Sequence, residues 1–153
     1  MIRIDIPNRG VIELQHAVFD VNGTIAVDGR PIPGVAERLK TLAAELSIHA
    51  LTAGTHGNLE TLEKAFGFPL QIISTGEEKA NYVQKLGRSN VIAFGNGAND
   101  AAMLSLAAVG VAVLATEGVA ISALQAADVL VSGPIDAIEL VLNPKRLVAT
   151  LRR

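Results

Sequence analysis

Cysteine and tryptophan are absent from the 153-residue chain, and only five aromatic side chains occur: Phe19, Phe66, Phe68, Phe94 and Tyr82. Without cysteine there is neither a disulfide nor a thiolate metal site, which is compatible with a reducing, cytoplasmic compartment. The scarcity of aromatics removes a platform for stacking bases. Charge is equally sparse: the net value is −2 and no basic run occurs. Nucleic acid is therefore not an expected partner, since phosphate contacts supply most of such affinity. The opening stretch MIRIDIPNRG alternates apolar and polar residues, with charges at Arg3, Asp5 and Arg9. It lacks the apolar centre of a secretory leader and reads as a strand. One uncharged run, AAMLSLAAVGVAVLAT at 101–116, is shorter than the ~20 residues a membrane span needs. Val109-Gly110 divides it into a buried helix and a buried strand, so the expectation is a soluble protein with no membrane partner.

What the chain does contain is aliphatic, with half of its residues apolar. A core of Val, Ile, Leu and Ala suits strands covered by helices on both faces. The length fits a single domain, residues 1–153, able to bury roughly two-thirds of its unfolded surface. Residues 2–7 and 11–15 read as a hairpin around Asn8-Arg9-Gly10, and Asp28-Gly29 marks a second, smaller hairpin after strand HAVFD at 16–20. From there helices and strands alternate. Helices are expected over about 34–46, 57–66, 77–86, 98–106 and 118–126. Strands are expected over 47–53, 70–74, 90–95, 110–114 and 128–132, and helices over 134–142 and 144–152 close the chain. The pattern predicts an α/β protein: a three-layer α/β/α, Rossmann-like fold with a mostly parallel central sheet and an N-terminal β-hairpin.

In such sheets ligands bind beyond the carboxyl ends of the strands. Asp20, Thr52, Asn96 and Asp100 all fall at or just past strand ends, so residues distant in sequence converge on one edge. Each has an ordinary explanation taken alone. Asp20 before Asn22-Gly23 suits a turn. A calcium loop fails there, because Arg30-Pro31 stands where a distal Glu is needed. GNGAND at 95–100 suits a strand-to-helix turn, and it lacks the third glycine of a dinucleotide fingerprint. No GxxxxGK[ST] phosphate loop occurs. Still, an amide oxygen between glycines, with a carboxylate four residues on, offers oxygen ligands to a hard cation such as Mg²⁺. Thr52 can be a cap, and Lys79 a surface lysine, although a cation in a first helical turn opposes the helix dipole. His16 and His49 read as residues at the edge of the core, and His56 follows Thr52 closely enough to touch a substrate.

Taken together, FDVNGT, LTAGT, Lys79 and GNGANDAAML resemble the haloacid dehalogenase superfamily of phosphatases and phosphotransferases. That family's motifs are DxDGT, a Thr or Ser, a Lys, and GDGxND, in this order and spacing. The stretch VGVAV…GVAISALQAADVLV is similar to the phosphorylation domain of P-type ATPases, and the resemblance, covering about residues 16–132, points to the capless, soluble P-type ATPase-like branch. It implies a Mg²⁺-dependent phosphatase or phosphotransferase in which Asp20 forms an aspartyl-phosphate. Thr52 and Lys79 would bind and neutralise the phosphoryl group. Gly23, Thr24, Ala53, Gly54 and Asn99 would complete its cradle. Asp20, the backbone carbonyl of Asn22, Asn96 and Asp100 would hold the metal. The substrate would be a phosphorylated small molecule or a phosphoprotein.

Two positions depart from the family pattern. Asn22 stands where the second aspartate of the first motif belongs, and Asn96 replaces the first aspartate of the fourth. An amide cannot relay a proton, and general acid–base catalysis is typically worth ~10²–10⁴-fold. Slow turnover follows from that loss, and weaker metal affinity follows from the charge lost at Asn96. The alternative is a catalytically degenerate module that binds a phosphorylated ligand or partner without turnover; a purely structural subunit is a third reading. Twenty-eight positions separate Thr24 from Thr52, and 27 separate Thr52 from Lys79. Neither interval has room for a cap domain. The site should be open, covered in part by the 24–33 flap or by a second copy in a homo-oligomer paired through the exposed hairpin edge.

Overall fold

A computed structural model of the chain describes residues 1–54 and 57–153. It opens with the expected hairpin, β1 (Ile2–Ile6) against β2 (Gly10–Leu14), antiparallel across a turn in which Asn8 takes a left-handed conformation. Strand β3 (His16–Asp20) follows, then the flap β4 (Ala26–Val27) and β5 (Arg30–Pro31), which pair antiparallel about Asp28-Gly29. The alternation continues through α1 (Val35–Leu42), β6 (Ser47–Thr52), α2 (Leu59–Phe66), β7 (Gln71–Ile72) and α3 (Gly76–Leu86). Then come β8 (Val91–Gly95), α4 (Ala101–Leu106), β9 (Val109–Val113), α5 (Ile121–Ala126) and β10 (Val129–Val131). Two helices, α6 (Pro134–Leu142) and α7 (Pro144–Leu151), finish the chain, each with proline in its first turn, where no N–H is missed.

The six-stranded central sheet has the order β10-β9-β8-β3-β6-β7, and every pairing in it is parallel. The three-layer expectation holds. Side chains alternate across β3: Ala17 and Phe19 enter a large apolar core with α1, α2, α6, α7 and the hairpin, while Val18 faces a smaller core with α3, α4 and α5. Close approach on that second face depends on Gly110, where a Cβ would stand 2.3 Å from the Leu104 carbonyl oxygen of α4. No helix among the described residues is long and apolar enough to cross a membrane.

Several boundaries differ from the sequence pattern. Helix α1 stops at Leu42 rather than near 46. Ala44 and Glu45 bond back three residues, to Thr41 and Leu42, which tightens the turn. Ser47 N–H must then reach the Gln15 carbonyl to enter the sheet, and Leu46 is buried without being helical. Strand β7 is only two residues long, because the cap of α3 begins at Thr75. A 3₁₀ turn at Ala98–Asp100 precedes α4. Residues 115–118 form a closed turn, Gly118 N–H to the Ala115 carbonyl at 2.9 Å, so α5 starts at Ile121 and not at 118.

Candidate active site

The carboxyl ends of β3, β6 and β8 lie side by side, so the residues that end them share one edge. Asp20 is the last residue of β3, in register with Leu51 of β6, and Thr52 comes one residue later. Beyond β8, Asn96 opens the turn into α4. Helix α3 comes in from the side. Its N-terminus is fixed by a reciprocal cap, in which Thr75 Oγ1 accepts from the Glu78 N–H and the Glu78 carboxylate accepts from the Thr75 N–H. That cap aims Lys79 inward. The Lys79 ammonium donates to Asp20 Oδ1 and to Asp100 Oδ1, both at 2.7 Å, and Lys79 is only 1% exposed.

Asp100 is wholly buried, and its second oxygen accepts from the backbone N–H groups of Asn96 at 3.0 Å and Gly97 at 2.9 Å. It thus shapes the turn and shares Lys79 with Asp20. Gly95 makes room for it, since a Cβ there would stand 2.5 Å from Asp100 Cγ. Thr24 is equally buried, its hydroxyl 3.5 Å from Asp20 Oδ2 and 3.4 Å from Asn96 Oδ1. Gly54 N–H donates to Thr52 Oγ1 at 3.2 Å. Gly23, at φ +83°, turns the chain between Asn22 and Thr24, where a Cβ would collide with Asn96.

These residues surround a cleft of about 210 Å³, lined by Asp20, Asn22, Thr52, Ala53, Asn96, Gly97, Asn99 and Glu117. Sites for drug-sized ligands run to about 300–1,000 Å³, so this one admits a small headgroup and leaves the rest of a substrate outside. Of the residues picked from sequence, Asp20, Asn22, Thr52, Ala53, Asn96 and Asn99 line the cleft. Lys79, Thr24 and Asp100 are packed beneath it. Gly23 and Gly54 set the loops at its rim, and His56 lies outside the described residues.

Electrostatics at the cleft floor pull in two directions. Burial, reinforced by the neighbouring Asp100 carboxylate, pushes the Asp20 carboxyl up to about 7 against the pull of Lys79 and the Val21 N–H. Burial disfavours the Lys79 ammonium, but the charges of Asp20 and Asp100 outweigh it and raise its pKa. The available donors are oxygens: Asp20 Oδ2, Asn96 Oδ1, and Asn22 Oδ1, which is buried without a hydrogen-bond partner. An acceptor left without a donor beside a carboxylate suits a hard divalent cation, which takes carboxylate, amide and carbonyl oxygens. Three acidic or imidazole side chains do not cluster as a metal site among the described residues.

Glu117 was not among the residues picked from sequence. One signal marks it: it is the only charged residue between Asp100 and Asp128.

Several known proteins are similar to this chain. A Moraxella catarrhalis 3-deoxy-D-manno-octulosonate 8-phosphate phosphatase, solved with magnesium, phosphate and the sugar acid, superposes with a TM-score of 0.63 at 16% identity, covering 91% of this chain and 94% of that one. The catalytic domain of the CPx-ATPase CopB-B matches with a TM-score of 0.61 at 31% identity, over 74% of this chain and 46% of that one. An uncharacterised protein of Methanocaldococcus jannaschii is 36% identical over 78 residues, which are 48% of this chain and 84% of that protein. The haloacid dehalogenase-like hydrolase family pattern matches residues 35–128, well over half of the chain. With Asp20, Thr52, Lys79 and the 95–100 turn gathered at one sheet edge, the chain belongs to the haloacid dehalogenase-like hydrolases.

Proposed function

We propose that this protein is a divalent-metal-dependent phosphatase or phosphotransferase that works through an aspartyl-phosphate at Asp20. One observation carries the reading: a carboxylate at the floor of a headgroup-sized cleft, gripped at 2.7 Å by a buried lysine that a second carboxylate also holds. Lys79 fixes Oδ1 and leaves Oδ2 toward Thr24 and the cleft. An Asp20 oxygen attacks the phosphorus of a phosphomonoester as the ester O–P bond breaks, and the departing alkoxide takes a proton from water. Water then attacks the phosphorus, the Asp20–phosphorus bond breaks, and orthophosphate leaves with the carboxylate restored. Thr52, the 53–54 backbone and Asn99 position the phosphoryl oxygens, and Lys79 balances their charge. Such transfers depend mainly on positioning and charge stabilisation.

Asp20, the Asn22 carbonyl and Asn96 would hold Mg²⁺, with Asp100 behind them, and the ion would supply charge neutralisation on the phosphoryl oxygens. Asn22 can neither give nor accept the proton of either step, so breakdown of the phosphoenzyme is slow, by up to the ~10²–10⁴-fold that acid–base help provides. The substrate is a phosphorylated small molecule or a phosphoprotein whose bulk stays outside the cleft. A second reading, phosphate binding without turnover, is favoured by the same amides at 22 and 96.

Incubation with acetyl phosphate and Mg²⁺ followed by mass spectrometry separates the two. A phosphoryl mass gain mapped to Asp20, lost in Asp20→Asn together with aryl-phosphate hydrolysis, is the expected result. Phosphate binding with no covalent gain would favour the second reading.

A further inference from the structure

The two amides that set this site apart reduce its negative charge, and one carboxylate in the cleft wall has no part in the scheme above. Glu117 sits in the 115–118 turn between β9 and α5, exposed to solvent, and lines the same cleft as Asp20 and Asn96. Its position is built. A Cβ on residue 23 would stand 2.6 Å from Glu117 Oε2 and 2.5 Å from Asn96 Nδ2, so only the bare glycine leaves room for both the carboxylate and the amide over it. The Asn96 amide then holds the turn: Nδ2 donates to the Gly118 carbonyl at 3.2 Å, and the Asn96 carbonyl accepts from the Ala120 N–H at 2.8 Å. An aspartate at 96 has no N–H for Gly118 and would face that carbonyl with a like partial charge. The Asn96 oxygen, 2.8 Å from that same Cβ position, accepts from the Thr24 hydroxyl at 3.4 Å, and this hydroxyl also lies 3.5 Å from Asp20 Oδ2.

We infer that Glu117 is the second carboxylate of the cation site, supplying from the β9–α5 turn the charge that Asn96 lacks, and that the Asn96 amide holds it there. This rests on the metal-dependent reading of the cleft. Asp100 is committed to Lys79 and two backbone N–H groups, which leaves Asp20 and Glu117 as the carboxylates lining the cleft with Asn96. Glu117 faces the cation directly or through a metal-bound water, as magnesium sites with few carboxylates commonly arrange. With its charge included, Asp20, Asp100, Glu117, Lys79 and a divalent cation are formally neutral, and an incoming phosphate dianion meets no excess negative charge.

The test is metal binding by the full-length protein, read without turnover, with Mn²⁺ followed by electron paramagnetic resonance and Mg²⁺ by competition. Glu117→Gln keeps the shape of an exposed side chain. It should weaken Mn²⁺ binding by about tenfold or more, the usual cost of losing a supporting ligand, and Asp20→Asn should weaken it as well. In Asn96→Asp/Glu117→Gln the charge returns at the other position, and affinity should recover relative to Glu117→Gln alone. Normal affinity in Glu117→Gln with a loss in Asp20→Asn would overturn this inference and leave the phosphatase reading intact. Normal affinity in both would overturn the cation site itself. A double variant as weak as Glu117→Gln would show that the two positions do not exchange one charge.

Discussion

The face of the sheet beneath α1, α2, α6 and α7 buries Phe19, Leu39, Ile92 and Ile138, and its packing is aliphatic and aromatic throughout. The face beneath α3, α4 and α5 has eight buried apolar residues against 28 on the first, among the described residues. Here Lys79 sits between Asp20 and Asp100, and a chain of hydrogen bonds joins His16, His49 and Tyr82. The first face can be stable through area alone, at roughly 25 cal/mol per Å² of apolar surface. The second must satisfy each polar group individually, because a buried charge left unpaired costs several kcal/mol. Stability and chemistry are thus divided across one sheet, and substitutions on the two faces should fail in different ways.

The largest effect is expected at Lys79. Lys79→Met leaves two buried carboxylates without their shared cation and should destabilise the fold by about 3–5 kcal/mol at neutral pH, with loss of phosphoryl transfer. The sign with pH is diagnostic. Asp20 already has a raised pKa, and a carboxyl raised in the folded state favours folding more as the pH falls. The deficit should therefore shrink in acid, as read from urea midpoints across a pH series. Leu39→Ala, on the other face, should cost about 2–5 kcal/mol with no such pH trend. Its activity per folded molecule should stay near that of the wild type well below the melting temperature. If activity collapsed with Leu39 while the fold held, the division between the faces would be wrong.

A smaller test concerns how the apolar scaffold delivers Lys79. The Thr75 cap is the device that starts α3 four residues before the lysine. Thr75→Ala should cost about 1 kcal/mol, within the usual range of about 0.5–2 for a lost cap. It should also raise the rate of amide exchange in the first turn of α3. Unchanged exchange there would mean that Lys79 is held by its carboxylate partners alone.

The apolar face was the legible one. Short continuous apolar runs such as HAVFD and VIAFG, separated by helical spacings, gave strand positions and a parallel sheet, because strands buried on both faces are apolar throughout. The convergence of Asp20, Thr52 and Asn96 followed from the topology, since parallel strands end on one side. Three features were not legible. Helix α1 stops at Leu42 because Ser47 must pair with Gln15, a residue thirty-two positions earlier between β2 and β3. The role of Asp100 as a buried partner of Lys79 and cap of its own turn depends on where α3 lands. Glu117 sits in a turn with no periodicity, and only the approach across Gly23 gives it a place. Long-range packing decided all three.

The smallest expected effect belongs to the histidine chain, and it probes whether the polar face is balanced for neutral pH. His16 Nδ1 lies 3.1 Å from His49 Nε2, and His49 Nδ1 lies 2.9 Å from the Tyr82 hydroxyl. Burial, with a contribution from the charge of His16, lowers the His49 pKa below its ordinary 6.5. The folded protein therefore binds fewer protons at this position than the unfolded chain does. By linkage, stability from neutral His49 is fully present above pH 6.5 and is lost as the pH falls through that value toward the depressed one. This runs opposite to the trend expected for Lys79→Met relative to wild type, so one acid titration separates the two polar clusters of the same face. His49→Gln removes the titration while keeping a polar side chain between His16 and Tyr82. Denaturation midpoints should fall more steeply with acid in the wild type than in His49→Gln, and parallel slopes would mean that His49 can accept a proton in the folded sheet without cost.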